Sequence, residues 1–89
     1  MKKIRTLLVD DEPLARKGLA VRLAEHSDIN IITQCSNGRE AIEAIKAYQP
    51  DLIFLDIQMP GQNGFEVMQS IIDQDLPLPM VIFVTAFDQ

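Results

Sequence analysis

The chain has 89 residues, of which 47% are hydrophobic, enough for one small globular domain. Its formal net charge of −5 argues against direct binding of nucleic acid or of an anionic membrane by this segment. No apolar stretch is long enough for a signal peptide or a membrane span, so we expect a cytoplasmic protein.

The first third of the chain predicts a strand followed by a helix. Ile4–Val9 is the first predicted strand, and the pure apolar run Leu7-Leu8-Val9 within it indicates burial on both faces. An acidic turn over residues 10–12 follows, and Pro13 suits the first position of a helix that we expect to reach about His26. The apolar arc predicted to face the sheet consists of Leu14, Ala15, Gly18, Leu19, Val21 and Leu23.

The middle of the chain predicts a second strand, a second helix and a third strand. Ile29–Cys35 alternates apolar and polar residues, as a half-covered edge strand does. A turn at residues 36–38 starts a helix that Pro50 ends. The run Leu52–Leu55 is a third apolar strand. Because Cys35 is the only cysteine, no internal disulfide can form.

The last third predicts a loop, a helix and a final strand. Asp56 opens a loop that extends to Asn63, where an Asn-Gly pair suits a helix start. Apolar residues at helical spacing mark the third helix, and Met80–Val84 is a fourth apolar strand. Strands and helices therefore alternate throughout, which predicts an α/β fold with a parallel sheet, right-handed crossovers and helices on both faces.

Three acidic residues stand where strands are predicted to end. Asp10 and Asp11 close the first strand, and Asp56 closes the third. Open α/β sheets bind their ligands at the carboxyl edge of the strands. If the two strands are neighbours, three negative charges crowd into one pocket, which is unfavourable unless a cation joins them or a proton stays bound.

Four sequence strings, in this order, resemble the receiver domain of two-component response regulators. They are Leu8-Val9-Asp10-Asp11, Asp56-Ile57-Gln58-Met59-Pro60, Asn63-Gly64 and Thr85-Ala86. The resemblance covers the whole chain. It implies a flavodoxin-like, doubly wound parallel sheet of strand order 2-1-3-4, in which the acidic residues meet at the point where the winding reverses.

The resemblance also implies roles for individual residues. Asp56 corresponds to the phosphoryl acceptor, and a sensor histidine kinase to the donor. Mg²⁺ is expected to bind the carboxylates of Asp11 and Asp56, Asp10 through water, and the backbone carbonyl of Gln58. Thr85 corresponds to the hydroxyl residue that follows the incoming phosphoryl group, and Gly64 to the glycine that opens the third helix.

The chain departs from the family pattern after its fourth strand. The family usually continues for roughly another thirty residues, with a fourth helix, a fifth strand ending in a lysine, and a fifth helix. We therefore interpret residues 1–89 as a receiver domain that is incomplete at its C-terminus and lacks its output domain. Thr85–Gln89 resembles receivers joined to LytTR-type DNA-binding domains, which implies a transcriptional output.

An exposed fourth strand would also favour self-association or a homodimer, because an unpaired apolar edge is a template for another chain.

Other interpretations remain open for the same residues. Asp10 and Asp11 also suit a solvated helix start, Asp56 a turn, and Thr85 a plain strand end. The acidic trio is compatible with a Mg²⁺-dependent phosphatase or phosphotransferase that uses an aspartyl nucleophile, although such enzymes often carry a second acid where Gln58 stands. The third alternative is an interaction module that works without phosphorylation. We expect a signalling domain rather than an enzyme.

Overall fold

The computed structural model describes residues 2–84 as one parallel sheet with three helices. Within these residues, each of the first three strands leads through a loop into a helix, as the alternating pattern predicted. The elements are β1 (Ile4–Val9), α1 (Pro13–Ala24), β2 (Ile29–Cys35), α2 (Gly38–Tyr48), β3 (Leu52–Asp56), α3 (Gly64–Asp73) and β4 (Met80–Val84). Among these residues, no helix is long and apolar enough to cross a membrane.

The strands lie in the order β2-β1-β3-β4, and all pairs are parallel. The predicted α/β fold class and strand order are therefore confirmed. In the pairing of β1 with β3, Val9 lies opposite Leu55. The residues that follow, Asp10 and Asp56, consequently leave two adjacent strands at the same edge of the sheet.

The main core lies between one face of the sheet and the helices α2 and α3. Side chains alternate between the two faces of a strand, so Leu7 and Val9 point to this face, whereas Leu8 points to the other. Fully buried members of this core are Leu7, Ala41, Ile45, Ile53, Leu55, Val67 and Ile71. The strands that carry the acidic residues are thus fixed by fully buried side chains of the main core.

The helix α1 differs from its prediction in length and in burial. It ends at Ala24 rather than near His26, and of its predicted apolar arc only Leu23 is buried. Leu14 is 78% exposed and Val21 60% exposed. Right-handed crossovers put α1 on the opposite face from α2 and α3, so within residues 2–84 no other helix covers the flank of α1.

Candidate functional site

The structure brings the three predicted acidic residues together. One carboxylate oxygen each from Asp10, Asp11 and Asp56 can be chosen so that the three lie within 4.8 Å of one another. The adjacency of β1 and β3 causes this convergence, because it places the two strand ends side by side. Asp10 is buried, and the other two are partly exposed.

Asp10 is held by hydrogen bonds on its backbone and on its side chain. Its N–H donates to the carbonyl of Cys35 at 3.1 Å, which ties β1 to β2. Its Oδ1 accepts the N–H of Glu12 at 2.9 Å, and its carbonyl accepts Nη1 of Arg16 at 2.6 Å. The carboxylate of Asp10, a residue that is 8% exposed, is therefore kept in one orientation at the start of the turn.

Asp56 carries a carboxyl group whose pKa is raised to about 6. Partial burial is the largest cause, and the negative charges of Asp10 and Asp11, with a side-chain hydrogen bond to Asp10, raise this pKa further. The backbone N–H of Gln58 donates to Oδ1 of Asp56 at 3.0 Å and acts in the opposite direction. The repulsion expected from the sequence is thus present at this residue.

The loop after β3 is anchored at both of its ends. Met59 is buried in the main core, and the N–H of Gly64 donates to the carbonyl of Ile57 at 2.9 Å. Asn63 and Glu66 form a reciprocal capping box, in which each side chain accepts the backbone N–H of the other at 2.9 Å. The loop therefore reaches α3 with little freedom to move the strand end that carries Asp56.

A cleft of about 370 Å³ opens over the acidic trio. Acidic side chains form the base of this cleft, and apolar side chains from α1 and from the end of β4 form its sides. The lining residues are Asp10, Asp11, Glu12, Ala15, Leu19, Asp56, Gln58 and Val84. Such a cleft admits a small charged group to the carboxylates from solvent.

The donor set fits a hard divalent cation. Mg²⁺ takes oxygen ligands in near-octahedral geometry and usually keeps several waters, with one or two carboxylates from the protein. Three convergent carboxylates in an open cleft meet that preference, and the raised pKa of Asp56 marks the repulsion that a cation would relieve. Asp10, Asp11 and Asp56 are the side chains that would hold it.

The structure shows the convergence of Asp10, Asp11 and Asp56, but the roles of all the predicted site residues stay predictions. Gln58 is exposed and borders the cleft, and its N–H contacts Asp56, but its role through the backbone carbonyl is not tested by these contacts. Thr85 lies outside the described residues, as do the other residues of the C-terminal segment 85–89.

Sequence reasoning gave Arg16 no role in the site. The structure puts its guanidinium against the carbonyl of Asp10. The signal that could have found it is its position one turn after Pro13, from which a long side chain can reach back to the end of the preceding strand.

The raised pKa of Asp56 predicts how the stability of the metal-free protein depends on pH. The folded state holds the proton more tightly than the unfolded state does, since the pKa rises from 3.8 to about 6. The contribution of Asp56 to the free energy of unfolding is therefore fully present below about pH 4 and is lost as the pH rises through about 6.

We expect metal-free Asp56→Asn to be more stable than the parent at neutral pH, by about 1 kcal/mol once solvent screening of this partly exposed group is allowed for. Urea unfolding in the presence of a metal chelator, at about pH 4 and about pH 7, measures the difference in the free energy of unfolding between the two proteins. Equal stabilities of the two proteins at both pH values would contradict the prediction.

Comparison with known proteins gives concordant matches over nearly the whole chain. The family model of the response regulator receiver domain matches residues 6–89. The transcriptional regulatory protein BtsR of Escherichia coli K12 is 50% identical over 86 residues, which are 97% of this chain and 35% of BtsR. A response regulatory protein of Shewanella oneidensis is also 50% identical, over 97% of this chain and 36% of its own length. The chain thus spans about a third of the length of these relatives.

Solved structures of similar fold carry the same kind of domain. The signal receiver domain of NarL from Mycobacterium tuberculosis superposes with a TM-score of 0.88 and is 34% identical, covering 100% of this chain and 71% of that one. The response regulator domain of CheB from Thermotoga maritima gives a TM-score of 0.84 at 31% identity, covering 99% and 64%.

Proposed function

Because this chain belongs to the response regulator receiver domain family of two-component signalling, we propose that Asp56 is its phosphoryl acceptor. The donor is the phosphohistidine of a sensor histidine kinase, and Mg²⁺ bound by Asp10, Asp11, Asp56 and the Gln58 carbonyl is the cofactor. The observation that carries the proposal is the convergence of three carboxylates from two adjacent strands, within 4.8 Å, in an open cleft.

The transfer requires a nucleophilic oxygen, a fixed orientation and neutralised charge. An oxygen of Asp56 forms the new bond to phosphorus as the bond from phosphorus to the histidine nitrogen breaks, and that nitrogen keeps the electron pair. Asp10, Asp11 and Asp56 would hold a divalent cation, which would neutralise charge on these residues and on the incoming phosphoryl oxygens. The N–H of Gln58 holds one carboxylate oxygen of Asp56, which orients the group toward the cleft.

Neighbouring residues support this chemistry by keeping Asp56 in place. Asp56 ends a strand whose preceding residues, Ile53 and Leu55, are fully buried, and the N–H of Ile57 donates to the carbonyl of Val84 at 3.2 Å. Thr85 comes directly after Val84 in the chain, and we assign it the hydroxyl that follows the bound phosphoryl group. An aspartyl phosphate is a recognised covalent intermediate, and here its formation is the signal.

The protein to which this segment belongs is longer in its relatives, since the segment covers 35% of BtsR. BtsR, which is similar over this segment, bears the name of a transcriptional regulatory protein. We assign this protein to the cytoplasm. We also assign it a DNA-binding output domain of LytTR type, which is switched by phosphorylation of the receiver. The receiver segment itself does not bind nucleic acid in this scheme, in keeping with its net charge of −5.

The test is phosphoryl transfer from a small-molecule donor to the intact protein. With Mg²⁺ and acetyl phosphate, we expect a mass gain of one phosphoryl group, located on the peptide that contains Asp56 and removed by hydroxylamine. Rapid turnover of many phosphate esters would support an aspartyl-nucleophile phosphatase instead. A protein that gains no mass and binds no Mg²⁺ would be a phosphorylation-independent interaction module.

A second expectation concerns assembly of a polypeptide limited to residues 1–89. Within residues 2–84, β4 is an outer strand, and Met80, Ile82 and Phe83 are 71%, 42% and 38% exposed. We expect such a polypeptide to self-associate through this edge, because an apolar outer strand can pair with another chain. Ile82→Lys is expected to reduce this association, because a charged residue disfavours pairing at a strand edge. Light scattering that gives a monomer of the parent polypeptide at all concentrations would contradict the expectation.

A further inference from the structure

Arg16 contacts the acidic turn from the first helix. Its Nη1 donates to the carbonyl oxygen of Asp10 at 2.6 Å, from a partly buried position. We propose that Arg16 is a positioning residue, which sets the relative directions of the Asp10 and Asp11 carboxylates for cation binding. This inference rests on the proposed function, because it concerns how the same site is shaped.

The effect of Arg16 depends on which peptide group its guanidinium binds. The carbonyl of Asp10 and the N–H of Asp11 belong to one planar peptide unit. A hydrogen bond to that oxygen therefore fixes the orientation of this peptide plane. The plane contains the α-carbons of Asp10 and Asp11, from which the two carboxylate side chains extend. The preceding peptide unit is fixed separately, since the N–H of Asp10 donates to the carbonyl of Cys35. Arg16 thus fixes the second of the two planes on either side of Asp10.

The geometry of α1 gives Arg16 a rigid base for this contact. The backbone N–H of Arg16 donates to the carbonyl of Glu12 at 3.0 Å, at the first turn of the helix. The Asp10 side chain in turn accepts the N–H of Glu12 at 2.9 Å. Strand end, turn and first helical turn therefore form one closed set of hydrogen bonds, in which the guanidinium supplies the charged donor.

The charge of Arg16 also reaches the end of the neighbouring strand. Burial and the charge of Glu40 raise the pKa of the Cys35 thiol to about 11, and the charge of Arg16 acts in the opposite direction. Because the carbonyl of Asp10 accepts Nη1 of Arg16 and the N–H of Asp10 donates to the carbonyl of Cys35, the guanidinium lies close to the ends of both β1 and β2. From there it offsets part of the negative charge at the turn without occupying the cleft lined by the carboxylates.

The test compares Mg²⁺ binding by the intact protein and three variants, using isothermal titration calorimetry. Removal of a group that orients metal ligands typically weakens metal binding about 10- to 100-fold, so we expect a loss of at least about tenfold for Arg16→Met. Arg16→Lys keeps a charged donor on a long side chain and is expected to recover part of the affinity. Lys17→Met removes the same charge from an exposed neighbour and is expected to leave the affinity unchanged.

A second measurement needs no substitution and therefore does not depend on the folding of a variant. In the parent protein, the Arg16 guanidinium N–H and Asp11 amide resonances should shift together during a Mg²⁺ titration, because both report on the same peptide unit. Unchanged resonances, or an Arg16→Met affinity equal to that of Lys17→Met, would overturn the inference while leaving the proposed function intact. A parent that binds no Mg²⁺ would overturn both.

Discussion

Asp56→Asn is expected to eliminate phosphoryl transfer to this protein. The amide has nearly the same shape as the carboxylate and can still accept the N–H of Gln58, which now contacts Oδ1 at 3.0 Å. It lacks the anionic oxygen that attacks phosphorus. In another enzyme, loss of the nucleophile lowers the rate of reaction roughly a million-fold. A loss of that size here would leave no detectable phosphoryl adduct. Mass spectrometry after incubation with Mg²⁺ and acetyl phosphate measures the amount of this adduct.

The control for this variant is Asp73→Asn, which makes the same chemical change at an exposed residue at the end of α3. It should be phosphorylated as fast as the parent. Because Asp56→Asn is also expected to be the more stable protein without metal at neutral pH, a loss of its adduct cannot be ascribed to unfolding. Persistent modification of the Asp56→Asn protein would show that another residue is the acceptor.

The sheet and the acidic trio could be predicted because apolar runs mark the strands, and the acidic residues directly follow two of those runs. A run such as Leu52–Leu55 is typical of a strand covered on both faces, and a polar residue that ends such a strand leaves the core at the carboxyl edge. Alternation of strands and helices then restricts the sheet to parallel order. The resemblance supplied the strand order that makes β1 and β3 neighbours, and this adjacency brings Asp56 to Asp10.

The apolar arc of α1 could not be predicted in the same way. Helical periodicity identifies which residues share a face, but burial depends on what the remainder of the fold puts against that face. Leu14 and Val21 belong to the arc and are exposed, whereas Leu23 from the same arc is buried against the sheet. The role of Arg16 escaped prediction for a related reason, since its contact with Asp10 depends on how α1 docks at the strand end.

Gly64 was assigned from the sequence as the residue that opens α3, and the structure adds a steric reason for it. A Cβ built on Gly64 would lie 2.8 Å from the carbonyl oxygen of Asp56 and 3.1 Å from the Cα of Ile57. Both neighbours are backbone atoms, which cannot move aside as a flexible side chain would. The absence of a side chain at Gly64 therefore lets the start of α3 approach the strand end that carries the proposed acceptor.

Gly64→Ala is accordingly expected to harm both stability and phosphoryl transfer. Forcing a methyl group into this contact should lower the free energy of unfolding by about 1–3 kcal/mol. The backbone of Asp56 must shift to relieve the clash, and a displacement of about 1 Å can reduce a positioned reaction about a hundredfold. Urea unfolding and the initial rate of adduct formation with acetyl phosphate measure the two effects.

Gly18 provides the matched control, because it carries the same substitution into open space. A Cβ at Gly18 meets no atom within 4 Å, and the residue lies in the interior of α1 on an exposed surface. Gly18→Ala should stabilise the protein by about 0.5–1 kcal/mol, because alanine loses less conformational freedom in a helix, and should leave the rate unchanged. If Gly64→Ala behaves like Gly18→Ala, the close approach of α3 does not fix Asp56. The acceptor must then be held by the N–H of Gln58, by the bond between Ile57 and Val84, and by the buried part of β3.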